Sequence, residues 1–150
     1  KQADDFQLLS QKTQLGAWIF LKWQEIKQKI DQKNNYHSMY ANKDLWNTTT
    51  QSLAELSALT KQDGAKFGVV VFPLLLDFNN YPMHEIHKQI NDTLQADGIP
   101  HIDLLNDFSA IPYMDLRPHP NDDTHPNALG HAIAAKRITQ FIEEKLLPTK

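Results

Sequence analysis

The feature that most constrains the fold is the apolar segment at residues 67–72, Phe-Gly-Val-Val-Val-Phe, which Pro73 follows. Apolar and β-branched residues occupy both alternating sets of positions, as they do in a strand that is covered on both faces of its sheet. A strand of this kind needs neighbouring strands at its edges and helices above and below it. The segment therefore predicts the interior of a parallel sheet.

Helical patterns precede and follow this strand along the chain. The predicted elements are a helix over 44–61, the strand over 67–72, a helix over 82–97, a strand over 99–105, a loop over 106–125 and a helix over 127–147. Single helices that alternate with strands predict an α/β fold with a parallel sheet and helices on both faces, because crossovers between parallel strands are right-handed. Two strands cannot bury both faces of residues 67–72, so we expect further strands outside these 150 residues.

The N-terminal part of the sequence has a different character. Apolar residues recur at steps of three and four over residues 4–30, which predicts one long helix or two, and the polar residues 31–42 predict a loop. Trp18, Phe20 and Leu21 widen the apolar surface of this helix. Packing against protein outside the sequence explains that surface, and a lid, an acyl groove or a membrane-surface contact is the alternative. We expect two regions, a helical insertion or lid-like segment over 1–43 and the sheet-containing region over 44–150.

Composition excludes several classes of function. Hydrophobic residues make up 41% and charged residues 22% of the sequence, as in an ordinary globular domain. Fifteen Lys and Arg face eighteen Asp and Glu, for a net charge of −3, so we expect no nucleic-acid partner held by phosphate contacts. The apolar run at residues 17–21 is too short for a transmembrane span. The absence of cysteine removes thiolate zinc sites and cysteine nucleophiles but leaves the compartment open.

The loop before the last helix carries the chemical signal. Ligands of open α/β sheets bind beyond the carboxyl ends of the strands, where this loop is expected. Asp122 stands three residues before His125, and Pro126 fixes the turn at the start of the helix. The carboxylate can reach Nδ1 of the ring, fix its tautomer and leave Nε2 as a general base. These residues are two thirds of a hydrolytic triad, although such an aspartate is often only a helix cap.

The longer pattern Asp-x-x-His-Pro-Asn-x-x-Gly-His at residues 122–131 follows a Val-Val-Val-Phe-Pro strand and an Ile-Asp-Leu strand. Together they resemble the C-terminal half of the SGNH, or GDSL-type, hydrolases over about residues 44–147. The resemblance implies a flavodoxin-like three-layer α/β/α fold of which this chain supplies the last strands and helices. It also implies that His125 is the base and Asp122 orients it, without a cofactor. The substrate it implies is a small acyl ester or acetylated carbohydrate, and it favours a bacterial extracytoplasmic location.

The departures from the family concern the other half of its active site. The family's Gly-Asp-Ser nucleophile block is absent, since none of the five serines follows Gly-Asp. The family's oxyanion donors, a glycine and the asparagine of a Gly-x-Asn-Asp block, are absent as well. We therefore expect the nucleophilic serine in the missing N-terminal part of the same fold, outside this chain. A catalytically inactive SGNH-like binding domain is the alternative.

Seven histidines raise a metal site as a further alternative. His84 and His87 stand three residues apart on a predicted helix, and a second set clusters in the loop, so the further alternative is a zinc-dependent hydrolase. The loop set consists of His119, Asp122, His125 and His131. On the primary interpretation His84 and His87 are solvated, and His131 caps or packs against the loop. Asp123 is expected to be an exposed loop charge.

Overall fold

The computed structural model describes residues 14–147, which fall into two compact units that meet in sequence between Asn42 and Lys43. The first unit is one helix, α1, over Gln14–Ala41. The predicted loop over 31–42 is therefore wrong, because residues 31–41 contain neither glycine nor proline and continue the helix. The predicted start of the helix, over residues 4–13, lies outside the described residues.

The surface of α1 is rich in apolar side chains. Eight of its large hydrophobic residues are exposed: Leu15, Trp18, Ile19, Leu21, Trp23, Ile26, Ile30 and Met39. The expectation of a wide apolar surface is thus confirmed for the described part of the helix. Between residues 14 and 147, no helix is long and apolar enough to cross a membrane.

The second unit alternates helices with two short strands. Its elements are α2 Lys43–Gln62, β1 Val69–Val71, α3 His84–Ala96, β2 His101–Asp103, α4 Leu105–Ser109 and α5 Ala128–Phe141. Turns of 3-10 helix occupy Phe78–Asn80 and Tyr113–Leu116, and a π-helical turn, Ile142–Leu146, follows α5. Gly64 and Gly98 have φ of 71° and 64° after α2 and α3, which confirms both predicted helix ends.

The strands β1 and β2 pair in parallel, with Val70 opposite Ile102 and Val71 opposite Asp103. The predicted α/β character and parallel pairing are confirmed, and the described residues form a sheet of two strands. Val69 and Val70 are half-buried and Phe72 is exposed, so the described part of the chain covers β1 incompletely.

Alternate positions of the strands enter two separate hydrophobic clusters. Val71 packs in a cluster to which α2 and α3 contribute, and Ile102 packs in a cluster to which α4 and α5 contribute. Because successive side chains of a strand point to opposite faces, helices lie against both faces of the pair. Because the two strands are parallel, their carboxyl ends lie at the same end of the sheet.

The chain beyond β2 is more regular than the sequence predicts. The predicted loop over 106–125 contains most of α4, at whose start the Leu105 N–H donates to the Asp103 carboxylate at 2.9 Å. Phe108 of this helix is fully buried. The predicted helix over 127–147 is α-helical only to Phe141, and Ile142, the first residue of the π-helical turn that follows, is exposed.

Candidate active site

Asp122 and His125 form a hydrogen-bonded pair in the turn before α5. The two carboxylate oxygens of Asp122 lie 3.1 and 3.0 Å from Nδ1 of His125. The spacing that suggested the contact in the sequence thus produces it, because the chain between the two residues makes a tight turn. The ring of His125 is 78% exposed.

The turn is built around one oxygen of Asp122. The backbone N–H groups of Thr124 and His125 donate to Oδ1 at 3.1 and 3.0 Å, and the Thr124 hydroxyl donates to it at 3.1 Å. The two backbone donors are the main reason that the pKa of Asp122 falls to about 2. Asp122 is therefore ionised at neutral pH and can hold Nδ1–H as an acceptor.

Residues 119–125, here called the His125 loop, are attached to the segment that follows β1. The Leu75 N–H donates to the Asp123 carbonyl at 2.7 Å. Nε of Arg117 donates to the Leu75 carbonyl at 2.9 Å, and Nη2 donates to the same carbonyl. Nη1 of Arg117 donates to the Pro120 carbonyl at 2.6 Å. Leu75 is fully buried, so the loop is anchored on the core.

The start of α5 fixes the other end of the loop. The Asn127 side chain accepts from the N–H groups of Leu129 and Gly130, which caps the helix. Gly130 lies against Pro126 so closely that a Cβ at position 130 would be 2.6 Å from the proline Cβ. The residue directly after His125 is thus held by a contact that only glycine permits.

A second aspartate–histidine pair joins a buried histidine to a half-buried aspartate. Nδ1 of His87 is 2.9 and 2.8 Å from the two carboxylate oxygens of Asp103, and Nε2 is 3.1 Å from the Tyr81 hydroxyl. His87 and Tyr81 are both buried. The prediction that His87 is solvated is therefore wrong, whereas His84 is exposed as predicted.

Asp103 is held in its ionised form by the groups around it. Burial opposes ionisation, but hydrogen bonds from His87, the Leu105 N–H and Asn91 outweigh it and lower the pKa of Asp103. The Asn91 amide donates to the carboxylate at 2.7 Å. We call Tyr81, His87, Asn91 and Asp103 the buried network.

The other residues singled out in the sequence are placed as follows. His131 is exposed, and Asn127 rather than His131 caps α5. Asp123 is half-buried and contributes its carbonyl to the Leu75 contact, so the prediction of an exposed loop charge is wrong. Within residues 14–147, no group of three or more His, Asp or Glu side chains could hold a metal ion.

A cleft is lined by the segment around the first 3-10 turn and by the chain from the end of α4 to Tyr113. It has a volume of about 330 Å³, within the range of small-molecule sites. Phe78 and Tyr113 contribute aromatic rings, whose centroids are 6.4 Å apart, and the Arg117 guanidinium lies 5.0 Å from the centre of the Tyr113 ring. The remaining lining residues are Asp77, Asn79, Ser109, Ala110, Ile111 and Pro112. Arg117 thus supports both the cleft and the His125 loop.

None of the serines in the described residues completes a triad here. Ser52 and Ser57 lie in α2 and Ser109 in α4, and none of them hydrogen-bonds to His125. Ser38 lies in α1, and Ser10 is outside the described residues. Between residues 14 and 147, Nε2 of His125 has no hydrogen-bond partner, which leaves it open to a group from elsewhere.

Comparison with known proteins finds no matching family model, no similar curated protein and no similar solved structure.

Proposed function

We propose that this chain is part of an SGNH-type ester hydrolase whose nucleophilic serine lies outside residues 1–150. The observation that carries the proposal is the His125 ring, held at Nδ1 by an ionised carboxylate and accessible at Nε2. This is the arrangement that a general base needs, because the carboxylate fixes the tautomer and stabilises the imidazolium that forms. The two-stranded parallel sheet is then one part of a flavodoxin-like three-layer fold.

In the proposed reaction, Nε2 of His125 takes the proton of the serine hydroxyl as its oxygen attacks the ester carbonyl. The bond to the alcohol breaks when the tetrahedral intermediate collapses, and the same nitrogen returns the proton to the leaving oxygen. Water repeats the sequence to release the acid and free the serine. Asp122 stays ionised throughout, since its pKa of about 2 lies far below neutral pH.

The cleft is the candidate substrate site. Its volume of about 330 Å³ lies at the lower end of the range of small-molecule sites, which favours a small ligand. The aromatic rings of Phe78 and Tyr113 form its apolar wall, while Asp77 and Asn79 supply polar groups that can accept and donate hydrogen bonds. This lining favours a short acyl ester of a hydroxylated compound, such as an acetylated carbohydrate, over a long fatty acyl chain.

The test is hydrolysis of p-nitrophenyl acetate by the full-length protein. His125→Ala should lower kcat by about 10³-fold or more, and Asp122→Asn by about 10²-fold, because each removes part of the proton-transfer machinery. Asp123→Asn removes a neighbouring carboxylate outside the pair and should keep kcat within about twofold. A fluorophosphonate probe should label a serine outside residues 1–150.

Activity of His125→Ala within about tenfold of wild type would overturn the proposal. Chelation with EDTA separates it from a zinc-dependent mechanism, since a serine triad requires no cation. We expect full activity after chelation, and a loss that zinc restores would favour the metal alternative.

A further inference from the structure

The buried network ends on the segment that carries the His125 loop. Tyr81 is placed with its hydroxyl 2.9 Å from the Leu74 N–H, which donates to it. On its other side the hydroxyl lies 3.1 Å from Nε2 of His87, whose Nδ1 contacts Asp103 at the end of β2. The network therefore connects the end of one strand to the segment that follows the other.

One placement of hydrogens satisfies every contact along this path. The Leu74 N–H donates to the Tyr81 oxygen, the Tyr81 O–H donates to Nε2 of His87, and Nδ1–H donates to Asp103. In this placement Nδ1 of His87 is the donor and Nε2 the acceptor, roles that are assigned from the neighbouring groups. Asn91 and the Leu105 N–H complete the acceptor capacity that Asp103 has left.

From Leu74 the path continues directly into the candidate active site. Leu75, the next residue, donates its N–H to the Asp123 carbonyl and accepts both Arg117 bonds at its own carbonyl. Asp123 lies between the two members of the pair, Asp122 and His125. A displacement of Leu74 would therefore be carried through Leu75 to Asp123, next to Asp122.

Packing alone does not explain polar groups at this position. Desolvating an aspartate–histidine pair costs free energy that hydrophobic side chains of similar volume would not incur. Hydrogen bonds of fixed direction define a backbone position more sharply than apolar contacts do. The network is thus suited to setting the position of Leu74 rather than to adding stability.

We infer that Tyr81 and His87 are positioning residues for His125, acting through Leu74 and Leu75. The inference rests on the proposed function, because His125 must be the base for its position to matter. A general base displaced by a fraction of an ångström keeps its substrate site but loses rate. The expected signature is a change in kcat without a change in KM.

The experiment compares two variants of the full-length protein. Tyr81→Phe keeps the ring and removes only the hydroxyl. Ile90→Ala truncates a half-buried apolar side chain on the same helix, α3, in the cluster around Val71, and removes no side-chain hydrogen bond. Both should lower Tm, whereas only Tyr81→Phe should lower kcat for p-nitrophenyl acetate, by about tenfold with KM unchanged within about twofold.

Amide hydrogen exchange supplies a readout that does not depend on activity. Each variant is measured at the same number of degrees below its own Tm. Under these conditions the Leu75 amide should exchange faster in Tyr81→Phe than in Ile90→Ala. Equal kcat in the two variants, or equal protection of Leu75, would overturn the inference. If His125→Ala abolishes activity and Tyr81→Phe leaves kcat unchanged, only the positioning role fails. If His125→Ala stays active, the proposed function fails, and the exchange data still decide whether the network holds Leu75.

Discussion

The second unit contains two aspartate–histidine pairs. In each pair Nδ1 of the histidine lies against a carboxylate, but the surroundings of the two pairs differ. The distances from Nδ1 to the carboxylate oxygens are 2.8 and 2.9 Å in the buried pair of His87 and 3.0 and 3.1 Å in the exposed pair of His125. Nε2 of His87 has a tyrosine hydroxyl as its partner, whereas the ring of His125 is 78% exposed. The same chemistry holds structure where both ring nitrogens are satisfied, and it is available for catalysis where one remains accessible.

The largest effect expected from this contrast is on stability. His87→Ala leaves the Asp103 carboxylate without its main partner and opens a cavity beside Tyr81, and it should lower the free energy of unfolding by about 3 kcal/mol. His125→Ala removes an exposed ring and should change it by less than about 0.5 kcal/mol. Denaturant unfolding of the full-length variants measures both. A larger loss in His125→Ala than in His87→Ala would show that the two pairs do not differ in the way their burial indicates.

A smaller loss of stability, together with a loss of activity, is expected when the turn that holds Asp122 and His125 is disturbed. Gly130→Ala places a Cβ 2.6 Å from the Pro126 Cβ, so either α5 or the residue next to His125 must shift. We expect a loss of about 2 kcal/mol in unfolding free energy together with a lower kcat. Ala132→Leu, which adds a larger side chain at an exposed position of the same helix, should cost less than about 0.5 kcal/mol. Full activity of Gly130→Ala would mean that the turn tolerates displacement of Pro126.

The two pairs also differ in how far the sequence predicts them. Asp122 and His125 are three residues apart in one turn, so their contact is local and their spacing predicts it. His87 and Asp103 are sixteen residues apart and meet only because α3 packs beside β2. One signal for His87 was present: it stands four residues after Met83 and three before Ile90, on the apolar stripe of the helix.

Other parts of the site depend on contacts that no local pattern contains. Arg117 bonds to the carbonyl of Leu75, which is 42 residues earlier in the chain, and no sequence pattern near Arg117 indicates this contact. The periodic helices and the parallel strand pairing are predicted correctly, whereas the prediction of a loop over 31–42 is wrong because polar residues without glycine or proline continue a helix.

The smallest effect expected concerns the stability of the exposed pair in acid. The pKa of Asp122 is about 2 in the folded protein, mainly because the His125 and Thr124 N–H groups donate to it, and about 3.9 is the usual value in an unfolded chain. Between these values the unfolded state binds more protons than the folded state, so the contribution of Asp122 is present above about pH 4 and disappears as the pH falls toward 2. Asp122→Asn lacks this contribution. Its Tm should therefore lie slightly below that of wild type from about pH 7 to about pH 4, and the difference should shrink at lower pH.

Asp123→Asn removes the same charge from the same loop and controls for net charge. A difference that stays constant down to about pH 2, or one that Asp123→Asn reproduces, would show that the turn does not depend on an ionised Asp122.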